Sequence, residues 1–231
     1  MQVKNQFSKY AKEYRSYNII QQICAKSLVR ELKTKPKKIL EIGCGSGQVF
    51  SNISWEFEKY LAIDGSQEMC NLHPKAENLE IECLNFDSVE FFDFIKQDKY
   101  DMVLSSSALQ WSNNLEKIVC TLKDITDEIN AVLFTSNTFK TIQEITNNNS
   151  PILDEKSIKD AFSKYFICEF ETIAYKLEFD NKKELFDYIK KSGVSGSSEL
   201  SFEKAKKLYK EYDLNYLEFE VIFIKARKSS L

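Results

Sequence analysis

Glycine is concentrated in one short stretch of this sequence, which reads KILEIGCGSG from Lys38 to Gly47. The chain of 231 residues has only 6 Gly, and Gly43, Gly45 and Gly47 all fall within this stretch. Glycine is needed where φ is positive or where a ligand approaches bare backbone. An apolar run leads into the cluster, so we expect the glycines at the carboxyl end of a strand, where open α/β sheets bind nucleotides. The alternative is a sharp strand-to-helix turn that binds no ligand.

The next apolar run, KYLAID at 59–64, ends in the carboxylate of Asp64 and is followed by Gly65. A carboxylate at the end of a second strand can accept hydrogen bonds from both ribose hydroxyls, which favours an adenosine-containing ligand. The alternative for Asp64 is a turn residue or a helix cap. Dinucleotide sites have the spacing GxGxxG, whereas this run is GxGxG and Gln48 follows it. No Walker lysine follows either, so nicotinamide chemistry and phosphoryl transfer are disfavoured.

Strand and helix patterns alternate along the chain that must position these residues. Strands are predicted at 38–42, 59–64, 79–86, 100–106, 131–137, 170–179 and 216–228. Helices are predicted at 13–32, 48–57, from Ser66 onward, 88–97, 115–125, 138–145, 157–165, 182–193 and 201–213. This alternation predicts an α/β fold with a doubly wound, mostly parallel seven-stranded sheet. Added helices and an antiparallel C-terminal strand would complete one edge of that sheet.

The length suits a single domain over residues 1–231. Within it we expect an N-terminal helical lid at 1–36, a cofactor-binding core at 37–137 and a C-terminal elaboration on the substrate side at 138–231. The lid is inferred from aromatic residues at helical spacing, which plain core packing would also explain.

Composition excludes several classes of function. The net charge of −3 gives no reason to expect nucleic-acid binding. The six cysteines include no CxxC pair and the chain has a single histidine, so its sequence disfavours a metal site. The chain has no run of about 18 apolar residues, as a membrane span requires, and its start lacks the apolar region of a signal peptide. We therefore expect a cytoplasmic monomer with reduced cysteines.

The stretch E-x-G-C-G-S-G resembles the first motif of the Rossmann-like S-adenosylmethionine-dependent methyltransferases. The acid of AIDGS and the NFD at 85–87 fall where that family has its next two motifs, so the resemblance spans 38–137. It implies S-adenosylmethionine as cofactor, with Asp64 on the ribose, Met69 near the adenine and Ser105 facing the sulfonium. The cofactor contacts that it implies are Glu41, Gly43, Cys44, Gly45, Gly47, Asp64, Gly65, Met69, Phe86, Asp87 and Ser105.

Further segments resemble the malonyl-[acyl-carrier protein] O-methyltransferases of biotin synthesis. FSKYAKEYRSYNIIQ at 7–21 is similar to that family's amino-terminal segment, and ALQW at 108–111 to its segment after the fourth strand. Asn18 and Ser106 depart from the family's alanine and asparagine. The resemblance implies malonyl-loaded acyl-carrier protein as substrate and partner. The residues that could position its carboxylate are Tyr14, Tyr17, Gln21, Ser106, Gln110 and Trp111.

A carboxylate acceptor makes few chemical demands on the site. Methyl transfer from a sulfonium is an in-line displacement, so the enzyme must mainly align the reacting atoms. A carboxylate with a pKa near ~4 is already ionised at neutral pH and needs no general base. His73 is therefore expected to be a surface residue without a catalytic role. The alternatives are a methyltransferase for another small carboxylate or small molecule, or a non-catalytic cofactor-binding subunit.

Lysines are frequent in the C-terminal part of the chain, where they could attract an acidic carrier protein. The interleaved Asp and Glu residues favour a solvated helix face as the alternative. The lysines in question are Lys182, Lys183, Lys190, Lys191, Lys204, Lys206, Lys207 and Lys210.

Overall fold

A computed structural model describes residues 18–191 and 201–229 of the protein. Its centre is a seven-stranded sheet with the order β3-β2-β1-β4-β5-β7-β6. The strands are β1 Lys38–Ile42, β2 Lys59–Asp64, β3 Leu79–Cys83, β4 Met102–Ser106, β5 Glu128–Phe134, β6 Ile167–Glu178 and β7 Tyr216–Arg227. Strands β1 to β5 pair in parallel, and β7 runs antiparallel to both β5 and β6. The predicted fold class is confirmed.

Helices cover both faces of this sheet. They are α1 Ile19–Arg30, α2 Gln67–Leu72, α3 Val89–Ile95, α4 Leu115–Leu122, α5 Lys140–Thr146, α6 Glu155–Ser163, α7 Lys182–Lys191 and α8 Phe202–Glu211. Helices α3, α4 and α6 share one buried apolar cluster with the sheet, while α1, α5, α7 and α8 share the other. No helix among residues 18–191 and 201–229 is both long and apolar enough to cross a membrane.

Burial on both sides explains the apolar sequence of the strand that leads into the glycines. In β1, Leu40 and Ile42 enter one apolar cluster and Ile39 enters the other, all of them fully buried. Central parallel strands covered by helices on two faces have this near-continuous apolar character. The strand ends at Ile42, so the glycines begin at the carboxyl edge of the sheet.

The prediction of a helix at 48–57 is wrong. The chain there forms only turns and a short 3₁₀ helix, Phe50–Asn52. Ser51 Oγ donates to the carbonyl of Gly47 and Asn52 Nδ2 to that of Gln48, both at 2.7 Å. Such local side-chain bonds to backbone carbonyls compete with helix continuation. The chain then extends, and the indole of Trp55 donates to the carbonyl of Pro36 at 3.0 Å.

The fifth strand also differs from its predicted range of 131–137, because it begins at Glu128 and ends at Phe134. Glu128 and Asn130 make the start of this strand polar, so the apolar pattern in the sequence begins only at Ala131. Asn130 is nevertheless buried, since its amide donates to Met102 Sδ and to the carboxylate of Glu128. Polar residues whose hydrogen bonds are satisfied can thus continue a buried strand.

Candidate active site

The glycine turn lies between the carboxyl ends of β1 and β2. Gly43 N–H donates to the carbonyl of Ile63 at 2.7 Å, and Gly45 N–H donates to Asp64 Oδ2 at 2.9 Å. Because β4 lies on the other side of β1, the sequence of strands reverses at this point. The crevice at such a switch point is where open α/β sheets bind their ligands.

Gly43 and Gly45 both have positive φ in this turn, but their surroundings differ. Gly43 has φ +75°, and a Cβ built on it would lie 2.0 Å from Ala108 Cβ, in the segment after β4. Gly45 has φ +52°, and a Cβ there would meet nothing within 4 Å. Gly43 therefore allows two loops to pack closely, whereas Gly45 leaves open space above bare backbone. Open space beside exposed backbone fits the close approach of a ligand.

Asp64 is held in a fixed orientation by two backbone groups. Its Oδ2 accepts from Gly45 N–H, and its Oδ1 accepts from Ser66 N–H at 2.8 Å. Ser66 caps α2 by accepting from the N–H of Met69. A carboxylate offers about four acceptor positions, so these bonds leave capacity for ribose hydroxyls. Met69 is buried beneath this corner, and Gly65 has ordinary φ with space for a Cβ.

Glu41 is buried under the turn and hydrogen-bonded to Tyr60, whose hydroxyl donates to Glu41 Oε2 at 2.6 Å. Burial raises the pKa of Glu41 to about 8, and the nearby Asp64 carboxylate adds to this increase, although the Tyr60 bond opposes it. Burial and the Glu41 charge also raise the pKa of Tyr60 well above its ordinary value. This buried pair therefore favours a protonated Glu41 at neutral pH.

Asp87 joins two loops at the far side of the crevice. Its carboxylate accepts from the backbone N–H of Asn113 at 3.0 Å and from the Asn113 side-chain amide at 2.9 Å. Partial burial raises the pKa of Asp87, while the Asn113 N–H opposes the change. Phe86 packs partly buried against the apolar cluster of its face. Asp87 thus fixes the segment that follows the 3₁₀ helix Leu109–Trp111.

The carboxyl end of β4 carries three consecutive serines. Ser105 is fully buried, and its hydroxyl donates to the carbonyl of Ile42 at 2.8 Å, which ties β4 to β1. Ser107 has φ +58°, a left-handed conformation that is uncommon for a residue with a side chain. Its N–H donates to the carbonyl of Val132 at 2.8 Å, and its carbonyl accepts from Gln110 Nε2 at 2.8 Å.

Several buried polar atoms at this end of β4 have no partner among residues 18–191 and 201–229. They are Ser106 Oγ, Ser107 Oγ and Gln110 Oε1. An unpaired buried hydroxyl costs about 1–3 kcal/mol, so such a group in a native structure calls for an explanation. Backbone strain at Ser107 adds to that cost. Strained, unpaired polar groups beside a nucleotide-type turn are consistent with a binding site.

Ser107 was missed by sequence reasoning, which selected its neighbour Ser106. Nothing in a run of three serines shows which of them takes a left-handed conformation. Asn113, the partner of Asp87, was missed for a similar reason, because its role depends on a contact 26 residues away along the chain.

The other predicted acceptor-positioning residues lie in different surroundings. Tyr14 and Tyr17 fall outside the described residues. Gln21 is buried in α1, which packs against β4 and β5. Trp111 is partly buried in the 3₁₀ helix, against the apolar cluster that includes α1.

The expectation that His73 is a surface residue is wrong, since only 4% of its surface is exposed. Its ring packs against Phe50, with 5.4 Å between ring centroids, and its Nε2 would lie 3.1 Å from a Cβ at Gly47. The local sequence His-Pro suggested a loop, but that loop folds against the glycine turn. Burial lowers the pKa of His73, so the imidazole is neutral at physiological pH.

Cys44 completes the predicted cofactor residues and is buried beneath the turn. Within the described part of the chain, no three or more His, Cys, Asp or Glu side chains are grouped so that they could hold a metal ion.

Comparison with known protein families defines the class of this chain. A family described as a methyltransferase domain matches residues 40–128, which extend from β1 to the start of β5. This span contains the glycine turn and Asp64. The chain is an S-adenosylmethionine-dependent methyltransferase with a Rossmann-like fold.

A curated relative shows which methyltransferases the chain resembles. It is 26% identical to a malonyl-[acyl-carrier protein] O-methyltransferase of Bacillus cereus, over 90% of this chain and 86% of that protein. The resemblance predicted from the sequence is confirmed.

Solved structures share the fold. The YcgJ protein of Bacillus subtilis has a TM-score of 0.65 at 12% identity, and the match covers 90% of this chain and 99% of that one. The plantazolicin methyltransferase BpumL, solved in complex with SAH, has a TM-score of 0.56 at 15% identity. The match covers 98% of this chain and 94% of that one.

Proposed function

We propose that this enzyme methylates the free carboxylate of malonyl-acyl-carrier protein, a step of biotin precursor synthesis, and that it acts as a cytoplasmic monomer. The Bacillus cereus relative with that printed activity aligns over 90% of the chain. The observation that carries the proposal is the pair of buried hydroxyls on Ser106 and Ser107 at the end of β4, neither of which has a hydrogen-bond partner among residues 18–191 and 201–229. Hydroxyl groups are donors that a buried carboxylate requires.

The described residues fit the cofactor. Gly45 leaves open space above bare backbone, and the Asp64 carboxylate is oriented for the ribose by two N–H groups. We assign the adenine end to Phe86 and Met69, and the methionine end to the turn above Glu41. When bound, S-adenosylmethionine supplies an electrophilic methyl group on a sulfonium. Because its pKa is raised, Glu41 is protonated at neutral pH and places no negative charge beneath the turn.

The acceptor would be positioned from the β4 side. The hydroxyls of Ser106 and Ser107 donate to the acceptor carboxylate, and Gln110 supports Ser107 by donating to its carbonyl at 2.8 Å. Because the carboxylate is already ionised, no side chain has to remove a proton. This agrees with the position of His73, which packs against Phe50 and lies next to Gly47. Alignment and desolvation are then the main contributions of the protein.

The carrier protein would dock on the face that carries α8. Two aromatic side chains of this helix are unusually exposed, Phe202 at 84% and Tyr209 at 58%. Lys207 pairs with Glu211 at 3.8 Å, and Lys182 lies over the ring of Tyr209 at 6.0 Å. Exposed aromatic groups among lysines suit an acidic partner that also offers apolar surface.

A comparison of three methyl acceptors tests the proposal. The enzyme is assayed with S-adenosylmethionine and three acceptors, which are malonyl-carrier protein, free malonate and acetyl-carrier protein. We expect the highest kcat/KM with malonyl-carrier protein and no product with acetyl-carrier protein, which has no free carboxylate. Equal or faster methylation of free malonate would reject the carrier-bound acceptor and favour a methyltransferase for free small carboxylates.

A further inference from the structure

The third glycine of the turn packs directly against the two residues that follow α2. Gly47 has φ +83°, and a Cβ built on it would lie 2.5 Å from Pro74 Cδ and 3.0 Å from His73 Cδ2. The Gly47 N–H donates to the carbonyl of Cys44 at 2.9 Å, which closes the turn. The end of the glycine turn therefore rests on His73 and Pro74.

The surroundings of His73 define which of its ring nitrogens carries the proton. Nδ1 lies 2.9 Å from the carbonyl oxygen of Pro74, which can only accept, so Nδ1 holds the hydrogen and donates it. In a neutral imidazole, Nε2 is then an acceptor. Nε2 is buried and has no hydrogen-bond partner among residues 18–191 and 201–229. It lies 3.1 Å from the place of a Cβ on Gly47, so the unpartnered nitrogen is at the contact with the turn.

A second proton on this ring would be costly. It would place a charge and an N–H at Nε2, where the described part of the chain offers no acceptor and where Phe50 packs on the ring. Burial accordingly lowers the pKa of His73 from 6.5, although the bond to the Pro74 carbonyl opposes the change. No charged side chain is among these causes. The titratable groups on the adjoining turn, the end of β2, α2 and the following loop are Cys44, Asp64, Glu68, Cys70, Lys75 and Glu77.

We propose that His73 is a positioning residue for the cofactor, because its neutral ring, with the proton on Nδ1, supports Gly47 and cofactor binding requires that form. A second proton draws the ring towards water, and the loss of its contact with Gly47 releases the end of the turn. The inference rests on the cofactor contacts proposed for the turn. By linkage, a ligand that favours the neutral ring must lower the pKa of His73 by the same factor by which protonation weakens the ligand's binding.

The test benefits from the single histidine of the chain, because nuclear magnetic resonance of the untagged, isotope-labelled full chain reports on His73 alone. The nitrogen shifts identify the tautomer, and their change with pH gives the pKa, first without ligand and then with saturating S-adenosylhomocysteine. Affinity for S-adenosylhomocysteine is measured between about pH 7.5 and about pH 5.5, a range that spans the ordinary histidine pKa.

Two variants accompany the unaltered protein in the affinity measurements. His73→Asn is neutral at every pH, and its amide can still donate to the Pro74 carbonyl. Glu41→Gln is the matched control, since Glu41 is a buried group beneath the turn whose own pKa is raised. It separates the titration of that carboxyl from the titration of the ring.

We expect a neutral ring with the proton on Nδ1, and a lower pKa of His73 in the complex than in the free protein. Affinity should fall several-fold towards acidic pH in the unaltered protein and in Glu41→Gln, and should stay nearly constant in His73→Asn. A proton on Nε2, an equal pKa with and without ligand, or the same acid-side loss in His73→Asn would overturn the proposal. The resonance measurements decide it even if His73→Asn fails to fold. A protein that binds no S-adenosylhomocysteine at any pH would reject the cofactor contacts themselves, and the proposal with them.

Discussion

At the scale of single residues, Glu41 makes protein stability depend on pH. Its folded-state pKa of about 8 exceeds the ordinary value of 4.5, so between those values the folded state holds more protons than the unfolded state. The stabilising contribution is therefore full below about pH 4.5 and is lost as pH rises towards about 8. The slope is at most about 1.4 kcal/mol per pH unit.

Substitution of Glu41 by Gln should remove this dependence, because the amide is neutral at every pH and can still accept from Tyr60. Urea unfolding at about pH 5 and about pH 8 measures it. We expect the free energy of unfolding to decrease towards alkaline pH in the unaltered protein and much less in Glu41→Gln. Glu77→Gln, at an exposed position, should behave like the unaltered protein. Identical pH profiles for all three proteins would contradict a neutral Glu41.

Ser107 allows its hydroxyl and its backbone to be tested separately. Ser107→Gly removes the hydroxyl and suits φ +58°, whereas Ser107→Ala removes the hydroxyl and keeps the steric cost, about 1 kcal/mol in this region. We expect Ser107→Gly to be the more stable of the two in thermal unfolding. For both, kcat/KM for the acceptor should fall roughly tenfold or more, as for one lost hydrogen bond to a charged group. Full turnover in Ser107→Gly would show that the hydroxyl does not contact the acceptor.

At the scale of elements, the contact between the glycine turn and the segment after β4 determines the shape of the crevice. Gly43→Ala should strongly destabilise the protein, because the added Cβ would lie 2.0 Å from Ala108 Cβ. Adding Ala108→Gly should restore part of the lost stability, since it removes the clashing atom. The remaining deficit reflects φ +75° at residue 43. Denaturant unfolding of the two single variants and the double variant measures this coupling. Strict additivity would contradict the contact.

Sequence patterns predicted the strands β1 and β2 at their observed bounds, because each short, mainly apolar run begins with a lysine and is followed directly by a glycine. They failed where polar side chains bond to the local backbone. Ser51 and Asn52 do so in place of the helix predicted at 48–57. The glycine spacing predicted the turn, and the end of the second apolar run predicted Asp64. Ser107 and Asn113 depend on tertiary contacts that no local pattern encodes.

At the scale of the whole molecule, the lysines on α8 should guide an acidic carrier protein to the enzyme. The double reversal Lys207→Glu with Lys210→Glu alters exposed side chains of this helix. We expect KM for malonyl-carrier protein to rise several-fold and to lose most of its dependence on salt, because attraction between exposed charges is screened by ions. Affinity for S-adenosylhomocysteine should not change.

The control for that experiment carries the same change in net charge on the other face of the sheet. Lys96→Glu with Lys123→Glu alters two exposed lysines that follow α3 and α4. Kinetics measured over a range of salt concentrations should match those of the unaltered enzyme. Equal losses from both double reversals would mean that total charge, and not a docking face on α8, governs turnover.

The central claim is that this crevice transfers a methyl group to the free carboxylate of a carrier-bound malonyl group. Mass spectrometry of malonyl-carrier protein, after incubation with the enzyme and S-adenosylmethionine, tests it most directly. We predict the added mass of one methyl in place of a hydrogen, located by fragmentation on the malonyl carboxylate. An unchanged mass at saturating S-adenosylmethionine, with the ligand shown to bind, would contradict the account.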